Sequence, residues 1–251
     1  MEAGKYKSNL TLFSDLDGTL IFSAARKQVG DIVIERKDGR EISCITARQS
    51  ELFPKLQNVI PVTTRSVEQY RRIEFARFGF EPKYALCANG GILLVDGEPD
   101  AEWSAWSAAI FRECEAELSA FRERMENDPY RNFEVRLVDE LFLFTKSEAP
   151  SETLKYLGKG ELCESFFTGE KVYVIPKRLN KGEAVKRLAE RLELSEFAAA
   201  GDSLMDLSML NAAHTAVFTD NIPESGVTAK NKVRRSRNGF SEFVTEFALR
   251  K

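Results

Sequence analysis

Leu10-Thr11-Leu12-Phe13-Ser14-Asp15-Leu16-Asp17-Gly18-Thr19-Leu20 begins as an apolar run and stops at an acidic, glycine-containing turn. A short run of this kind predicts a buried strand with polar groups at its carboxyl end. The event recurs four times: Val59 to Val62 stops at Thr63, Tyr84 to Ala88 at Asn89, Phe197 to Gly201 at Asp202, and Thr215 to Phe218 at Thr219. All five read as short parallel strands. Helical patterns lie between them. Ser66 with Gln69 makes a capping box with Gly79 as a stop, and Asn180 with Glu183 caps a helix carrying Val185, Leu188, Ala189 and Leu192 on one face. This alternation predicts an α/β fold with a doubly wound, parallel, Rossmann-like sheet. Such sheets bind ligands beyond the carboxyl ends of their strands, where Asp15, Thr63 and Asp202 fall.

Residues 101–176 break the alternation. Trp103, Trp106, Ile110, Cys114, Leu118, Phe121 and Met125 mark one face of a long helix that ends before Asp128-Pro129. Strand-like runs follow over 133–138 and 141–146, then a short helix from Ser151 and two more runs over 163–168 and 171–175. The pattern is αββαββ, an inserted α+β unit. The expected division is a core of residues 1–98 and 177–251 and an insert of residues 99–176. The two tryptophans read as core rather than as a substrate platform.

Composition narrows the function. The chain has 251 residues, 43% hydrophobic and 30% charged, enough apolar material for a sizeable core. The longest uncharged stretch, Leu207 to Thr219, is 13 residues, short of the ~18 that a membrane span needs. No membrane association is expected. Residues 1–9 lack the apolar segment of a secretory signal, so the expected location is cytoplasmic. Four scattered cysteines without a CxxC pair argue for reduced thiols and against a zinc ribbon. With His214 alone, a histidine metal cluster is excluded and proton transfer falls to carboxylates or lysines. The net charge of −3 gives no field for a polyanion, so nucleic acid is not an expected partner. The cluster Lys230, Lys232, Arg234, Arg235 and Arg237 lacks interleaved aromatics and reads as a solvated turn.

The Asp15-Leu16-Asp17-Gly18-Thr19 turn is one of four ordered motifs. The others are Val62-Thr63-Thr64-Arg65, Asn180-Lys181-Gly182-Glu183 and Gly201-Asp202-Ser203-Leu204-Met205-Asp206. In this order they resemble the haloacid dehalogenase superfamily of phosphohydrolases. The Asn89-Gly90-Gly91 turn and the position of the insert look like its Cof-type, C2B-capped branch, which includes sucrose-phosphate phosphatase relatives and phosphomannomutases. The resemblance spans residues 10 to about 245.

The resemblance implies a phosphatase of a small phosphorylated metabolite, expected to be a sugar phosphate, working through an aspartyl phosphate. It implies Asp15 as nucleophile and Asp17 as general acid and then base. Thr63 would donate its hydroxyl and backbone N–H to the phosphoryl group, and Lys181 would stabilise that group and the nucleophile. Mg²⁺ would be held by Asp15, the Asp17 carbonyl and Asp202, with Asp206 orienting a metal-bound water or Lys181. Thr64, Asn89 and Gly90 are expected beside the substrate. Arg136 and Lys146, charges on otherwise apolar strand-like runs, are expected to bind the rest of it. Thr64 and Met205 depart from the branch pattern, where Gly and Asn are usual, so the ligand shell is expected to draw on Ser203 or water. A hairpin over 31–46 with an Asp38-Gly39 turn is expected to overhang the site. A phosphomutase and a catalytically silent binding module remain as alternatives, though Asp17 favours phosphate-ester chemistry.

Overall fold

The computed structural model describes residues 10–250; the stretch read above for a secretory signal, 1–9, lies outside them. The first apolar run becomes the strand Thr11–Ser14, at an inner position of a five-stranded sheet. The order across the sheet is Asn231–Arg235, Thr215–Thr219, Phe197–Gly201, Thr11–Ser14, Val59–Pro61, and every pairing is parallel. Parallel strands need crossovers, and the intervening helices cover the sheet, which is why the four strands other than Asn231–Arg235 read as continuous apolar runs. Leu12, Ala198, Ala200 and Val217 pack with Phe240, Val244 and Phe247 of the C-terminal helix Phe240–Ala248. The edge of Phe13 meets Phe197 with centroids 5.1 Å apart. Such a pair is worth about 0.5–1.5 kcal/mol beyond its burial.

Three local expectations are corrected. Tyr84–Cys87 touches the parallel sheet through one bridge, Val62 to Leu86, while its regular partner is the antiparallel strand Ile92–Val95. The chain turns back at once through Ala88-Asn89-Gly90, with Asn89 left-handed at φ 59°. Gly79 ends a 3-10 turn, Phe75–Phe78, whereas the helix opened by the Ser66 capping box ends at Arg71. The basic cluster is largely an edge strand, Asn231–Arg235, and not a solvated turn. Lys and Arg along an edge strand discourage pairing with another chain, which accounts for their density there.

The hairpin forms from Ile32–Lys37 and Arg40–Ile45, joined by Asp38 and Gly39 at φ 49° and 76°. Ile34 and Ile45 enter the same core as Leu12. Its ladder shifts register between Val33 and Glu35, and both Ile34 and Glu35 are fully buried.

Pro99–Asn180 forms a second compact unit, and the described residues up to Glu98 and from Lys181 form the first. The division thus falls after Asn180 rather than after 176. The reason is local: Lys177 donates to the Gly160 and Glu161 carbonyls, and Arg178 pairs with Glu113 at 2.6 Å. In this unit the helix Ala101–Glu126, capped by Asp100, and the helix Pro150–Leu157 accompany an antiparallel sheet. The sheet order is Cys163–Thr168, Lys171–Pro176, Phe142–Lys146, Arg136–Val138. Cys114, Leu118, Phe121, Leu143, Val172 and Val174 form its core. Trp103 is fully buried and Trp106 packs edge-on against it. The strand expected over 133–138 is shorter, because the Phe133 carbonyl accepts from Thr145 Oγ1 and Arg131 instead of a ladder partner. Among the described residues, no helix is long and apolar enough to cross a membrane.

Candidate active site

The register of the parallel sheet aligns Ser14 with Ala200, and the Asp15 N–H donates to the Ala200 carbonyl at 2.9 Å. Asp15 and Asp202 therefore leave adjacent strands at the same end. Lys181, the first residue of the helix Lys181–Arg191, comes to that end and is 2% exposed. Its Nζ donates to Asp15 Oδ1 at 2.5 Å and to Asp206 Oδ1 at 2.7 Å. The other oxygen of Asp206 accepts from the N–H groups of Asp202 and Ser203 at 3.1 and 3.0 Å and from the Ser203 hydroxyl at 3.0 Å. Ser203 thus closes a capping box with Asp206. Two glycines permit the crowding. A Cβ on Gly18, at φ +90°, would lie 2.4 Å from Asp202 Oδ2, and one on Gly201 would lie 2.3 Å from the Asp206 Cβ. Only glycine fits either position.

Carboxylate oxygens of Asp15, Asp202 and Asp206 lie within 4.8 Å of one another. Burial, then the charge of Asp206, raises the Asp15 carboxyl well above its ordinary value, with Lys181 opposing. Asp202 is pushed up to about 6, again by burial first and Asp206 second. Burial disfavours the Lys181 ammonium, but Asp15 and Asp206 outweigh it and raise its pKa. One ammonium among three carboxylates leaves an excess of negative charge in a poorly solvated place. Hard oxygen donors with unneutralised charge fit Mg²⁺. Arg237 Nη2, 3.8 Å from Asp202 Oδ2, supplies a further cation at the rim.

Thr63 is buried at the same strand edge, but its N–H is engaged by the Leu86 carbonyl at 2.8 Å. Of the two donors expected from Thr63, only the hydroxyl, which accepts from the Arg65 N–H at 3.1 Å, can serve a ligand. Asn89 is anchored to this edge by its N–H to the Thr63 carbonyl at 2.8 Å, with Gly90 buried beside it and Thr64 next to Thr63 half-buried. Asp17 does not join the carboxylate cluster. Both of its oxygens accept from Arg65, Oδ2 from Nε and Oδ1 from Nη2, each at 2.7 Å. In the second unit, Arg136 lies 4.6 Å over the Phe133 ring and pairs with Glu134, while Lys146 lies 5.6 Å over the same ring.

Arg65 and Glu35 are not among the site residues that the sequence points to. A buried Glu in a hairpin is a signal that chemistry needs a partner, yet strict strand alternation does not bring Glu35 inside beside Ile34. A register irregularity does.

The model of the family described as sucrose-6F-phosphate phosphohydrolase matches residues 8–241. No curated protein sequence matches significantly. Among solved structures, the chain is similar to the sucrose-phosphatase of Synechocystis in complex with sucrose and phosphate, at 19% identity, TM-score 0.64, covering 96% of this chain and 98% of that one. A Thermoplasma acidophilum protein gives 16% identity, TM-score 0.64 and coverage of 96% and 99%. A haloacid dehalogenase-like hydrolase from B. subtilis gives 19%, 0.57, 94% and 99%. These likenesses agree on a Rossmann-like core with an inserted cap unit. By the match of its family model across nearly its whole length, the chain belongs to the sucrose-6F-phosphate phosphohydrolase family, phosphatases of the haloacid dehalogenase superfamily.

Proposed function

We propose that the protein is a Mg²⁺-dependent phosphomonoesterase of a small sugar phosphate, working through an aspartyl phosphate on Asp15. The observation that carries this reading is the Lys181 ammonium bonded to Asp15 Oδ1 and Asp206 Oδ1. It fixes one oxygen of Asp15 and leaves the other to attack. Attack on phosphorus forms the Asp15–phosphorus bond and breaks the bond to the alkoxide, which takes a proton from the Asp17 carboxyl. Water then attacks the aspartyl phosphate and gives its proton to Asp17, restoring Asp15 and releasing inorganic phosphate. Thr63 holds a phosphoryl oxygen through its hydroxyl, and Lys181 offsets the negative charge that gathers there. Mg²⁺ held by Asp15, Asp202 and the Asp17 carbonyl would supply charge neutralisation to the phosphoryl oxygens, with Asp206 orienting its surroundings.

The substrate class is supported by the Synechocystis relative, which was solved with sucrose and phosphate. We assign Thr64, Asn89 and Gly90 to the neighbourhood of the phosphoryl group, and Arg136 and Lys146 to the rest of the substrate. The test is phosphate release from a panel of phosphorylated sugars and other metabolites, with Mg²⁺ and with chelator. Release that requires Mg²⁺ and no bisphosphate activator supports a phosphatase. Turnover only with such an activator supports a mutase, and no turnover of any ester overturns the reading.

A further inference from the structure

Asp17 stands out because its carboxylate is half exposed, with 51% of the side chain accessible, yet both oxygens are held. Its holder, Arg65, has only 10% of its side chain exposed. Arg65 is itself held from behind. Its Nη1 donates to Glu35 Oε2 at 2.8 Å, and its Nη2 to the Ser43 hydroxyl at 3.1 Å. Ser43 in turn donates to Glu35 Oε2 at 2.7 Å, and Arg72 Nε donates to Glu35 Oε1 at 3.3 Å. Glu35 and Ser43 face each other across the 31–46 hairpin, and Glu35 is completely buried.

A buried carboxylate that served only stability would be poorly chosen, since an apolar residue of similar volume often does as well or better. What Glu35 does provide is aim. A planar guanidinium has a fixed fork of donors, so pinning Nη1 fixes the direction of the Nε and Nη2 pair. Burial disfavours the Arg65 charge, but the bonds and charges of Asp17 and Glu35 outweigh it and raise its pKa.

We propose that Arg65, aimed by Glu35 and Ser43 of the hairpin, is the positioning residue for Asp17, holding its carboxyl in the orientation for proton exchange with the leaving group. The hairpin then acts on the chemistry through this relay. This inference rests on the phosphatase reading given above. It concerns orientation: a carboxyl free to rotate on a half-exposed side chain spends less time where the departing oxygen needs it.

The test compares phenyl phosphate with p-nitrophenyl phosphate, esters of similar size of which only the first needs much protonation as it leaves. Wild type, Asp17→Asn, Arg65→Ala, Arg65→Lys, Glu35→Gln and the Asp17→Asn/Arg65→Ala double variant are assayed with Mg²⁺. Arg65→Ala is expected to copy Asp17→Asn, losing at least about tenfold more kcat on phenyl phosphate than on the nitrophenyl ester, within the range general acid catalysis contributes. The double variant is expected to be no worse than Asp17→Asn alone. Arg65→Lys keeps the charge without the fork and is expected to show the same bias, and Glu35→Gln a weaker one. These last two carry the test if Arg65→Ala does not fold. Equal losses on both esters, a rise in KM for both, or multiplicative losses in the double variant would overturn the proposal, leaving Arg65 structural or bound to phosphate. If wild type cleaves neither ester nor any member of the metabolite panel, the phosphatase reading itself falls; if wild type is active and the bias absent, only this inference does.

Discussion

The carboxylate edge of the first unit and the sheet face of the second carry charge in opposite ways. At the edge, Lys181 is buried and bonded to Asp15 and Asp206, residues 166 and 25 positions away in the chain. Asp206 is bonded four ways. Lys181 and Asp206 are each held by more than one partner. On the sheet face, the Arg136 side chain is 48% exposed and its carboxylate partner, Glu134, is two residues away. Such a pair contributes little and rearranges readily, since exposed ion pairs are worth about 0–1 kcal/mol. Invariant chemistry suits the first arrangement, and recognition that must adapt to a particular ligand suits the second.

Three changes would break or sharpen this contrast. The largest effect is expected from Asp15→Asn, an almost isosteric change to a far poorer nucleophile. It should lower kcat by at least about 10³-fold, while circular dichroism and the melting profile show the fold retained. Substantial turnover would remove Asp15 from its role and with it the reason for so rigid an edge.

An intermediate effect concerns pH. Asp202 titrates at about 6 in the fold against an ordinary value of 3.8, so the metal-free fold binds a proton more tightly than the unfolded chain does. This contribution to stability is present at low pH and lost as pH rises through about 6. A divalent cation prefers the ionised form, so protons compete with it. The rise in Tm on adding Mg²⁺ is therefore expected to be larger at pH 8 than at pH 5.5. An equal rise at both would show that Asp202 takes no part in holding the cation.

The smallest effect is expected on the sheet face. Arg136→Ala or Lys146→Ala should raise KM for the natural substrate by roughly tenfold or less and leave p-nitrophenyl phosphate hydrolysis nearly unchanged, the pattern of lost uniform binding. Parallel changes in both esters would erase the division between the two regions.

The edge was legible in the sequence because strand ends are announced locally: an apolar run stops and a polar residue begins, as at Ser14-Asp15 and Gly201-Asp202. The Ser66 capping box was legible for the same reason. The relay from Glu35 to Asp17 was not, since it depends on a register shift in the hairpin and on Arg65 reaching across 48 positions of chain. The edge-strand identity of 231–235 was hidden by its charge, which suppresses the apolar signal that marks a strand. The engagement of the Thr63 N–H depends on Leu86 from another strand, a pairing no local pattern reveals.

The sheet order also sets a timetable for the nascent chain. Leu12 pairs on one side with Val59 but on the other with Ala198, so the strand that precedes Asp15 has one open flank until most of the chain has been made. Contacts closed over such distances fold slowly, and an unpaired apolar strand is the place where misassembly begins. The whole insert, from Pro99 to Asn180, is synthesised during that wait. Folding intermediates of this protein should thus expose the Ala198-facing flank of Thr11–Ser14, and protection of the Asp15 amide, which donates to the Ala200 carbonyl, should appear later on refolding than that of the Leu12 amide, which donates to the Asn58 carbonyl.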